Sequence, residues 1–455
     1  MAKVLIVDSV STKKGIVNKD VNAGLGTRTQ IGHSFRAKLL EHMKKTNVIL
    51  PLIEYGYVAS ILKLKGHTVD YCQESGRDLT SLTQRISKEN YAHILFHPAL
   101  VAYKTDLEIV THIKQKFPNI VLGAFGPFVS ACTKEVHDYF DWVAVGEIDK
   151  LLTDNSLKEL KGICHSNGYI DNLDTLPFPD WGPFDINKFS YKPMIVKKPF
   201  FTMQGSRGCP MSCGYYCPYP SSQGKKWRTR SIASLIEEIK FLQQTYDAKA
   251  ILFRDAYFSL KKERVLEFAE KLIAEKITIE WGCETRLDSL DRKLLKTCYD
   301  SGLRSVNIGI ESEDDDILKA NKRKGIIKSF QEDLIEYCYI LGIKVNGFFI
   351  LGLDGDTLES IEKTIEYAKK LKLYAAQFTV STPLPGTPFY EDMMKDEKIV
   401  NKDLELLDNN TMVFNHENLT NDQIHNLKEE AFLRYYFRPR FIMEQLRWKT
   451  RELFY

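Results

Sequence analysis

The sequence predicts an α/β protein built from two parallel-sheet domains and a helical C-terminal region, and three features lead to this expectation. Short β-rich runs alternate with helical stretches over residues 1–165. A second series of the same kind begins near Phe200, after a proline- and aspartate-rich stretch without periodicity. Strand–helix alternation produces a parallel sheet that is covered on both faces. A chain of 455 residues is also longer than one core normally organises.

The first domain is expected to have a Rossmann-like parallel sheet. An apolar strand pattern occupies residues 3–8, and a helical pattern over residues 53–65 ends at Gly66. Gly123 and Gly126 lie where a later strand ends, which is the edge at which open α/β sheets bind ligands. The other strand patterns of this domain are residues 68–71, 93–96, 120–123 and 142–145.

The rest of the chain divides into three predicted parts. Residues 166–198 are expected to form a linker on the surface, because four prolines and four aspartates interrupt any periodicity. Residues 199–390 predict a partial (β/α)6 barrel, with its active site at the C-terminal ends of the strands. Residues 391–455 predict a mainly helical region packed against the barrel. The barrel strand patterns are residues 200–204, 250–254, 278–283, 305–310, 345–351 and 376–381, and helical patterns include residues 231–246, 262–275 and 329–341.

Composition limits the classes of function. The formal net charge is only +3 at pH 7, and the densest basic run is confined to residues 225–230, so nothing favours a nucleic-acid partner. No stretch approaches the roughly 18 apolar residues of a membrane-spanning helix, and the first residues lack the pattern of a secretory signal. The sequence therefore predicts a cytoplasmic protein without membrane contact.

Three cysteines in one short segment are the most informative feature. Cys209, Cys213 and Cys217 lie within nine residues, among glycines and prolines, directly after the first barrel strand. Thiolates bind both zinc and iron–sulfur clusters. Structural zinc needs four ligands, and no further Cys or His lies nearby in the sequence, whereas three thiolates on a [4Fe–4S] cluster leave one iron open. The spacing favours the cluster, with zinc or three unrelated buried cysteines as alternatives.

These cysteines resemble the signature of the radical S-adenosylmethionine (SAM) superfamily, although that signature is usually Cys-x3-Cys-x2-Cys and this chain has Cys-x3-Cys-x3-Cys. The resemblance implies that Cys209, Cys213 and Cys217 hold a [4Fe–4S] cluster and that SAM binds its open iron. It also implies that a 5′-deoxyadenosyl radical removes a hydrogen from the substrate. The resemblance continues at the strand-end segments 253–258, 284–288, 306–312, 347–356 and 382–388.

The same resemblance implies where SAM binds. The second strand-end motif is the one that contacts the SAM amino group, and Arg286 is a candidate partner for its carboxylate. Acidic side chains at the strand ends are candidates for binding a cationic substrate as well, with helix capping as another interpretation. The candidate SAM-binding residues are Tyr215, Asp255, Glu284, Arg286, Glu311, Ser312 and Gly352, and the candidate carboxylates are Asp255, Glu284, Glu311, Asp354 and Asp356.

Residues 1–165 resemble the cobalamin-binding domain of one subgroup of the superfamily. Cobalamin that is ligated by the protein needs a histidine after the first strand, and the residues that follow Asp8 contain none. Some members bind cobalamin without that ligand, and His97 at a strand end is a further candidate, with a structural role as its other interpretation. We expect a domain that keeps the fold without binding cobalamin.

The longer cysteine spacing resembles that of radical SAM diol-dehydratases in aminoglycoside biosynthesis. It implies a lyase that removes the C3′ hydroxyl of a paromamine-like substrate after hydrogen abstraction at C4′. Loss of a hydroxyl and quenching of the radical each need a proton. Tyr216 is the candidate catalytic donor, although shielding of the cluster explains this residue equally well.

The expected partners follow from this resemblance. They are a small aminoglycoside-like substrate, an external electron donor such as flavodoxin or ferredoxin, and an NADPH-dependent reductase. One alternative is a cobalamin-dependent radical SAM methyltransferase or cyclase. An alternative of another class is a non-catalytic iron–sulfur electron carrier.

Overall fold

The computed structural model of the chain describes residues 1–9, 11–12, 15–45 and 48–454. Its first domain has six parallel strands in the order β6-β5-β4-β3-β1-β2. The strands are β1 Lys3–Ser9, β2 Thr68–Glu74, β3 His93–Phe96, β4 Val121–Ala124, β5 Trp142–Val145 and β6 Gly162–His165. The helices are α1 Phe35–Lys45, α2 Ile53–Leu64, α3 Thr80–Glu89, α4 Tyr103–Lys116, α5 Pro127–Ala131, α6 Thr133–Val136 and α7 Ile148–Asp154.

Burial on both faces explains why the central strands are apolar runs without alternation. Val4, Leu5, Ile6 and Val7 of β1 are fully buried, as expected for a parallel strand that has helices above and below it. The Rossmann-like prediction for this domain is confirmed. The sixth strand, β6, had no clear pattern in the sequence, because its side chains are mostly exposed at the edge of the sheet.

A polar segment crosses the C-terminal edge of this sheet and was not predicted. Short antiparallel pairs join residues 15–18 to residues 11–12 and 27–28. We call residues 17–28 the strap. Lys19 of the strap lies 3.2 Å from Asp8 Oδ1 and donates a hydrogen bond to the His97 carbonyl oxygen at 2.9 Å. The strap therefore covers the ends of β1 and β3.

The second domain is an open, partial barrel. Its six strands are all parallel and lie in sequential order, which confirms the predicted (β/α)6 arrangement. They are β7 Phe200–Met203, β8 Ala250–Phe253, β9 Glu280–Thr285, β10 Leu303–Glu311, β11 Lys344–Leu351 and β12 Ala375–Val380. The helices are α8 Tyr219–Gln223, α9 Ile232–Tyr246, α10 Lys262–Ala274, α11 Arg292–Asp300, α12 Asp315–Ala320, α13 Lys328–Leu341 and α14 Leu358–Lys370.

Side-chain caps fix where the barrel helices begin. Ser231 accepts a hydrogen bond from the Ser234 N–H at the start of α9, and Thr357 and Ser360 form a capping box at the start of α14. Such caps satisfy backbone N–H groups that have no partner within the helix. The residue at which each helix begins fixes the loop that connects it to the end of the preceding strand.

Residues 166–198 do not form the surface linker that the sequence predicted. Trp181 is 0% exposed, and its ring packs against Phe184, Phe189 and Phe201. Tyr191 pairs through the backbone with Val48 of the first domain. Prolines stop regular structure here but do not prevent burial, so the segment is an aromatic wedge between the two domains.

The C-terminal region packs on the last barrel strand. It contains α15 Pro388–Lys395, α16 Asn421–Tyr436 and α17 Pro439–Phe454, in agreement with the predicted helical character. Tyr436 hydroxyl donates to the Ala376 carbonyl oxygen at 2.7 Å, and Tyr435 hydroxyl donates to that of Leu373 at 2.9 Å. In the part of the chain that the structure describes, no helix is both long and apolar enough to cross a membrane.

Candidate active site

The loop that carries the three cysteines is held by backbone contacts at both ends. Cys209 N–H donates to the Gly224 carbonyl oxygen at 3.1 Å, and Cys217 N–H donates to that of Cys213 at 3.0 Å. Gly208 has a φ of +84°, and a Cβ there would lie 2.2 Å from the Lys226 carbonyl oxygen. Only glycine suits this position, which turns the chain towards the cysteines.

The three thiols influence one another and face positive charge. Burial raises the pKa of Cys209 and Cys217, and the nearby Cys213 adds to both shifts. Arg286 and Arg323 act on Cys209 in the opposite direction. Guanidinium groups at this position favour the thiolate form, which is the form that binds iron.

The donor set fits an iron–sulfur cluster. Among the described residues, no three His, Cys, Asp or Glu side chains converge closely enough to bind a single metal ion. Three thiols around one loop, with no fourth ligand, suit a [4Fe–4S] cluster that keeps one iron open.

Tyr216 lies between the second and third cysteines, as the sequence requires, and its hydroxyl is buried. Burial raises its pKa well above the usual value, and the charge of Arg323 acts in the opposite direction. Among the described residues its hydroxyl has no well-formed hydrogen bond, and the Arg323 guanidinium lies beside it.

Tyr215 faces a different way from Tyr216. Its ring lies 5.6 Å from that of Phe389 in α15, and Lys322 Nζ lies 3.8 Å from the ring centre. Both contacts are with side chains of the barrel rim. They give Tyr215 a packing role in this structure, and the predicted contact with SAM stays a prediction.

Asp255 is placed differently from the sequence expectation. Its carboxylate is fully buried and accepts hydrogen bonds from Gly205 N–H at 2.7 Å and from the Ser206 hydroxyl at 2.6 Å. Both oxygens are thereby occupied at the start of the cysteine loop. Asp255 positions that loop, and its predicted contact with the SAM amino group stays a prediction.

Glu284 belongs to a charged network at the mouth of the barrel. Arg254 forms ion pairs with both Glu284 and Asp20 of the strap, the latter with 2.5 Å between Nε and Oδ2. Tyr219 hydroxyl donates to Glu284 Oε2 at 3.4 Å. Asp20, Tyr219 and Arg254 were not predicted as site residues, because nothing in the local sequence indicates that the strap meets the barrel.

Two arginines occupy the side of the mouth nearest to Cys209. Arg286 donates to both carboxylate oxygens of Asp288, at 3.0 and 2.8 Å. Arg323 Nη1 lies 3.1 Å from Glu311 Oε1. Arg323 was missed, since a basic run after a short helix is normally solvated. Each guanidinium already pairs with an acidic side chain. A carboxylate of SAM would therefore share the guanidinium with that side chain.

The remaining predicted residues shape turns at the strand ends. Ser312 Oγ lies 3.3 Å from Thr364 Oγ1 and accepts from the Asp314 N–H. Gly352 has a φ of +76°, and its N–H donates to Asp356 Oδ2 at 3.0 Å. Asp356 is therefore engaged with the backbone, and Asp354 is exposed.

A cavity of about 240 Å³ lies between the two domains, next to the cysteine loop. Pro218 and Tyr219, which directly follow Cys217, form part of its wall. The predicted site residues are not among the described residues that line it. The first domain contributes Asp20, Glu54, Glu147 and Asp149, with glycine backbone at its strand ends, and the barrel contributes Arg207 and Arg254.

His97 lies under the glycine-rich floor of this cavity. A Cβ on Gly126 would come within 2.4 Å of His97 Nε2, and a Cβ on Gly24 within 2.9 Å of Pro127. His97 Nε2 lies 2.9 Å from Glu54 Oε2. The contact between these two atoms is close but is not a hydrogen bond. Oε2 and both ring nitrogens have no hydrogen-bond partner among the described residues.

Sequence comparison identifies the family. The sequence model of the radical SAM superfamily matches residues 203–368. This range begins at the end of β7 and includes all three cysteines and four of the six barrel strands in full. This part of the chain is a radical SAM domain. The [4Fe–4S] cluster and SAM are accordingly its cofactors, and the protein is a radical SAM enzyme.

Curated relatives within this superfamily extend over both domains. An uncharacterized methyltransferase of Pyrococcus horikoshii is 29% identical over 419 residues, which cover 87% of this chain and 90% of that protein. The anaerobic magnesium-protoporphyrin IX monomethyl ester cyclase of Cereibacter sphaeroides is 23% identical, over 74% of this chain and 59% of that protein. No aminoglycoside enzyme is among these relatives.

Solved structures of radical SAM enzymes share the two-domain fold. The methyltransferase TsrM from Kitasatospora setae, with cobalamin and a [4Fe–4S] cluster bound, superimposes with a TM-score of 0.62 at 14% identity, over 87% of this chain and 78% of that one. The enzyme OxsB, with aqua-cobalamin and SAM bound, gives 0.68 at 13% identity, over 99% and 70%. Both of those proteins bind cobalamin. This finding opposes the expectation that the first domain of the present chain keeps the fold without binding cobalamin.

Proposed function

We propose that this radical SAM enzyme removes a hydroxyl group from a small amino sugar of the paromamine type, as a diol-dehydratase. The observation that supports the proposal is the buried hydroxyl of Tyr216 inside the longer cysteine loop, which has no hydrogen-bond partner among the described residues. A dehydration needs a proton for the departing hydroxyl group. Methyl transfer to carbon has no comparable need for a neutral acid beside the cluster.

The chain supplies the parts that any such reaction requires. Cys209, Cys213 and Cys217 are the ligands for the cluster, which when bound supplies the electron that cleaves SAM to a 5′-deoxyadenosyl radical. Asp255 fixes the start of their loop through Gly205. The cavity lies at the domain interface next to the cysteine loop, where bound substrate can displace water, and exclusion of water protects a reactive radical.

Tyr216 has the properties of a general acid for this step. Burial raises the pKa of its phenol, but the charge of the neighbouring Arg323 lowers it and can stabilise the phenolate that remains after transfer. Loss of water from a substrate radical then needs one further electron and a proton to reach a closed-shell product. An external donor such as flavodoxin or ferredoxin supplies the electron, and an NADPH-dependent reductase acts on the resulting ketone.

The second candidate is cobalamin-dependent methyl transfer or cyclisation, and the names of the curated relatives favour it. The residues in the first domain fit a corrinoid poorly. The strap covers the ends of β1 and β3, where Lys19 is engaged by Asp8 and the His97 carbonyl oxygen.

One incubation distinguishes the candidates. The anaerobically reconstituted enzyme is given SAM, a reductant and paromamine, and the products are analysed by mass. Dehydration predicts 5′-deoxyadenosine together with a product lighter by one water. Methyl transfer predicts a heavier product and a corrinoid absorption spectrum in the purified protein, and formation of 5′-deoxyadenosine without a lighter product would refute the dehydratase proposal.

A further inference from the structure

The cavity between the domains carries more acidic than basic side chains. Its described lining includes four carboxylates and two guanidinium groups. Each of three carboxylates has its own arginine. Asp20 pairs with Arg254, Asp149 pairs with Arg207, and Glu147 pairs with Arg228 behind the wall.

Glu54 is the fourth carboxylate, and it has no arginine partner among the described residues. It stands in the first turn of α2 and is 27% exposed on its side chain, next to the fully buried His97. Its Oε2 atom is buried and has no hydrogen-bond partner within the described residues. A buried acceptor without a partner costs free energy that a bound donor can recover.

A second orphan acceptor lies on the same wall. Asp149 is 2% exposed, and while its Oδ2 pairs with Arg207, its Oδ1 has no hydrogen-bond partner among the described residues. Burial raises the pKa of Asp149 to about 6, and the charge of Glu54 adds to that shift. Both carboxylates line the same cavity.

We infer that Glu54 and Asp149 of the first domain form the binding site for an ammonium group of the substrate. This rests on the proposed function and deepens it, because it assigns recognition of the amino sugar to the first domain rather than to the barrel strand ends. A primary ammonium has three donors and a single positive charge, which matches the Glu54 carboxylate beside the His97 ring and two carboxylate oxygens without a hydrogen-bond partner among the described residues.

The proposal also explains why the barrel carboxylates are not the cation site. Asp255 and Asp356 use their oxygens for backbone N–H and hydroxyl groups. Glu284 and Glu311 are paired with arginines. Bound at Glu54, the amino group anchors one end of the sugar while the rest extends past Tyr219 towards the cluster loop.

Calorimetric titration of the holoenzyme with paromamine, in the presence of SAM, tests this site directly. The wild type is expected to bind paromamine about tenfold or more tightly than fully N-acetylated paromamine, because acetylation removes the charge. Glu54→Gln keeps the shape and is expected to lose about the same factor for paromamine. Glu263→Gln, an exposed glutamate in the first turn of α10, is the matched control and is expected to bind like the wild type.

Three results would overturn the inference. They are equal affinity of the wild type for both sugars, unchanged affinity in Glu54→Gln, and no binding of paromamine at all. The comparison of the two sugars needs no variant, so it stands even if Glu54→Gln folds poorly. Glu54-dependent binding without a product lighter by one water would remove the dehydratase proposal and leave this site intact.

Discussion

At the scale of single residues, the decisive group is the phenol of Tyr216. The extra residue between the second and third cysteines places it where its hydroxyl is buried, and Arg323 is close enough to act on its ionisation. A protonated phenol next to a cationic group can give up its proton when a stronger base forms in front of it.

We predict that Tyr216→Phe separates SAM cleavage from dehydration. Formation of 5′-deoxyadenosine is expected to continue, because the thiols and their loop are unchanged. The dehydrated sugar is expected to fall by about 100-fold, the usual order for loss of a general acid. Both products are quantified by mass from single incubations, with Tyr215→Phe as the matched control that keeps both activities.

Two other outcomes identify different roles. Unchanged dehydration in Tyr216→Phe would mean that Tyr216 only shields the cluster. Tyr219 lines the cavity, and its hydroxyl donates to Glu284. It would then be the next candidate proton donor to substitute. Loss of both products together would instead mean that the phenol positions SAM.

The sequence predicted the cysteines because their ligand role depends on local spacing, and it failed for residues whose role depends on tertiary contacts. A motif at a strand end indicates which loop carries Asp255, but not that the carboxylate turns back to Gly205 and Ser206. In the sequence, Arg323 is only a basic residue after a helix. Folding places it beside Tyr216. Glu54 lay in a segment that indicated only the fold of the first domain.

At the scale of elements, the strap and the wedge connect the two sheets and so form one site between them. Both were invisible or misassigned in the sequence, because neither has the periodicity of a helix or strand. The strap is fixed by long-range ion pairs such as Asp20 with Arg254, and the wedge by burial of Trp181. The strands and helices were predicted well because apolar runs and helical periodicity are local signals.

The glycine turn after β4 is predicted to be a tight constraint on the cavity floor. Gly126 has a φ of +112°, and a Cβ there would lie 2.4 Å from His97 Nε2. Gly66 also has a positive φ, of +82°, but nothing lies within 4 Å of its added Cβ. Gly126→Ala is therefore expected to lower the free energy of unfolding by about 1–3 kcal/mol more than Gly66→Ala.

Urea unfolding of the two alanine variants and the wild type measures this difference. Both glycines have a positive φ, but Gly126, with φ +112° and ψ +173°, adopts a conformation that only glycine reaches readily, so its extra cost combines this backbone strain with the contact with His97. Equal destabilisation would show that the floor relaxes and that His97 moves without cost.

At the scale of the whole molecule, the two domains share one continuous core. The buried apolar cluster extends from β1 through Trp181 to the barrel strands and α16. Polar links cross the same boundary, since Thr202 hydroxyl donates to the Pro51 carbonyl oxygen and Arg207 pairs with Asp149. Division into separately folding domains would expose this core and leave buried charges unpaired.

We therefore predict that the domains unfold together, and Gly126→Ala supplies the test because its strain lies in the first domain alone. In native-state hydrogen exchange, the amides of β3 and β8 are expected to show the same opening free energy. The variant is expected to lower protection in both strands by equal amounts, although β8 lies in the barrel. A loss confined to β3 would mean that the first domain opens independently. The strap and its pairing with Arg254 would then be a hinged contact, and the cavity would open without unfolding of the barrel.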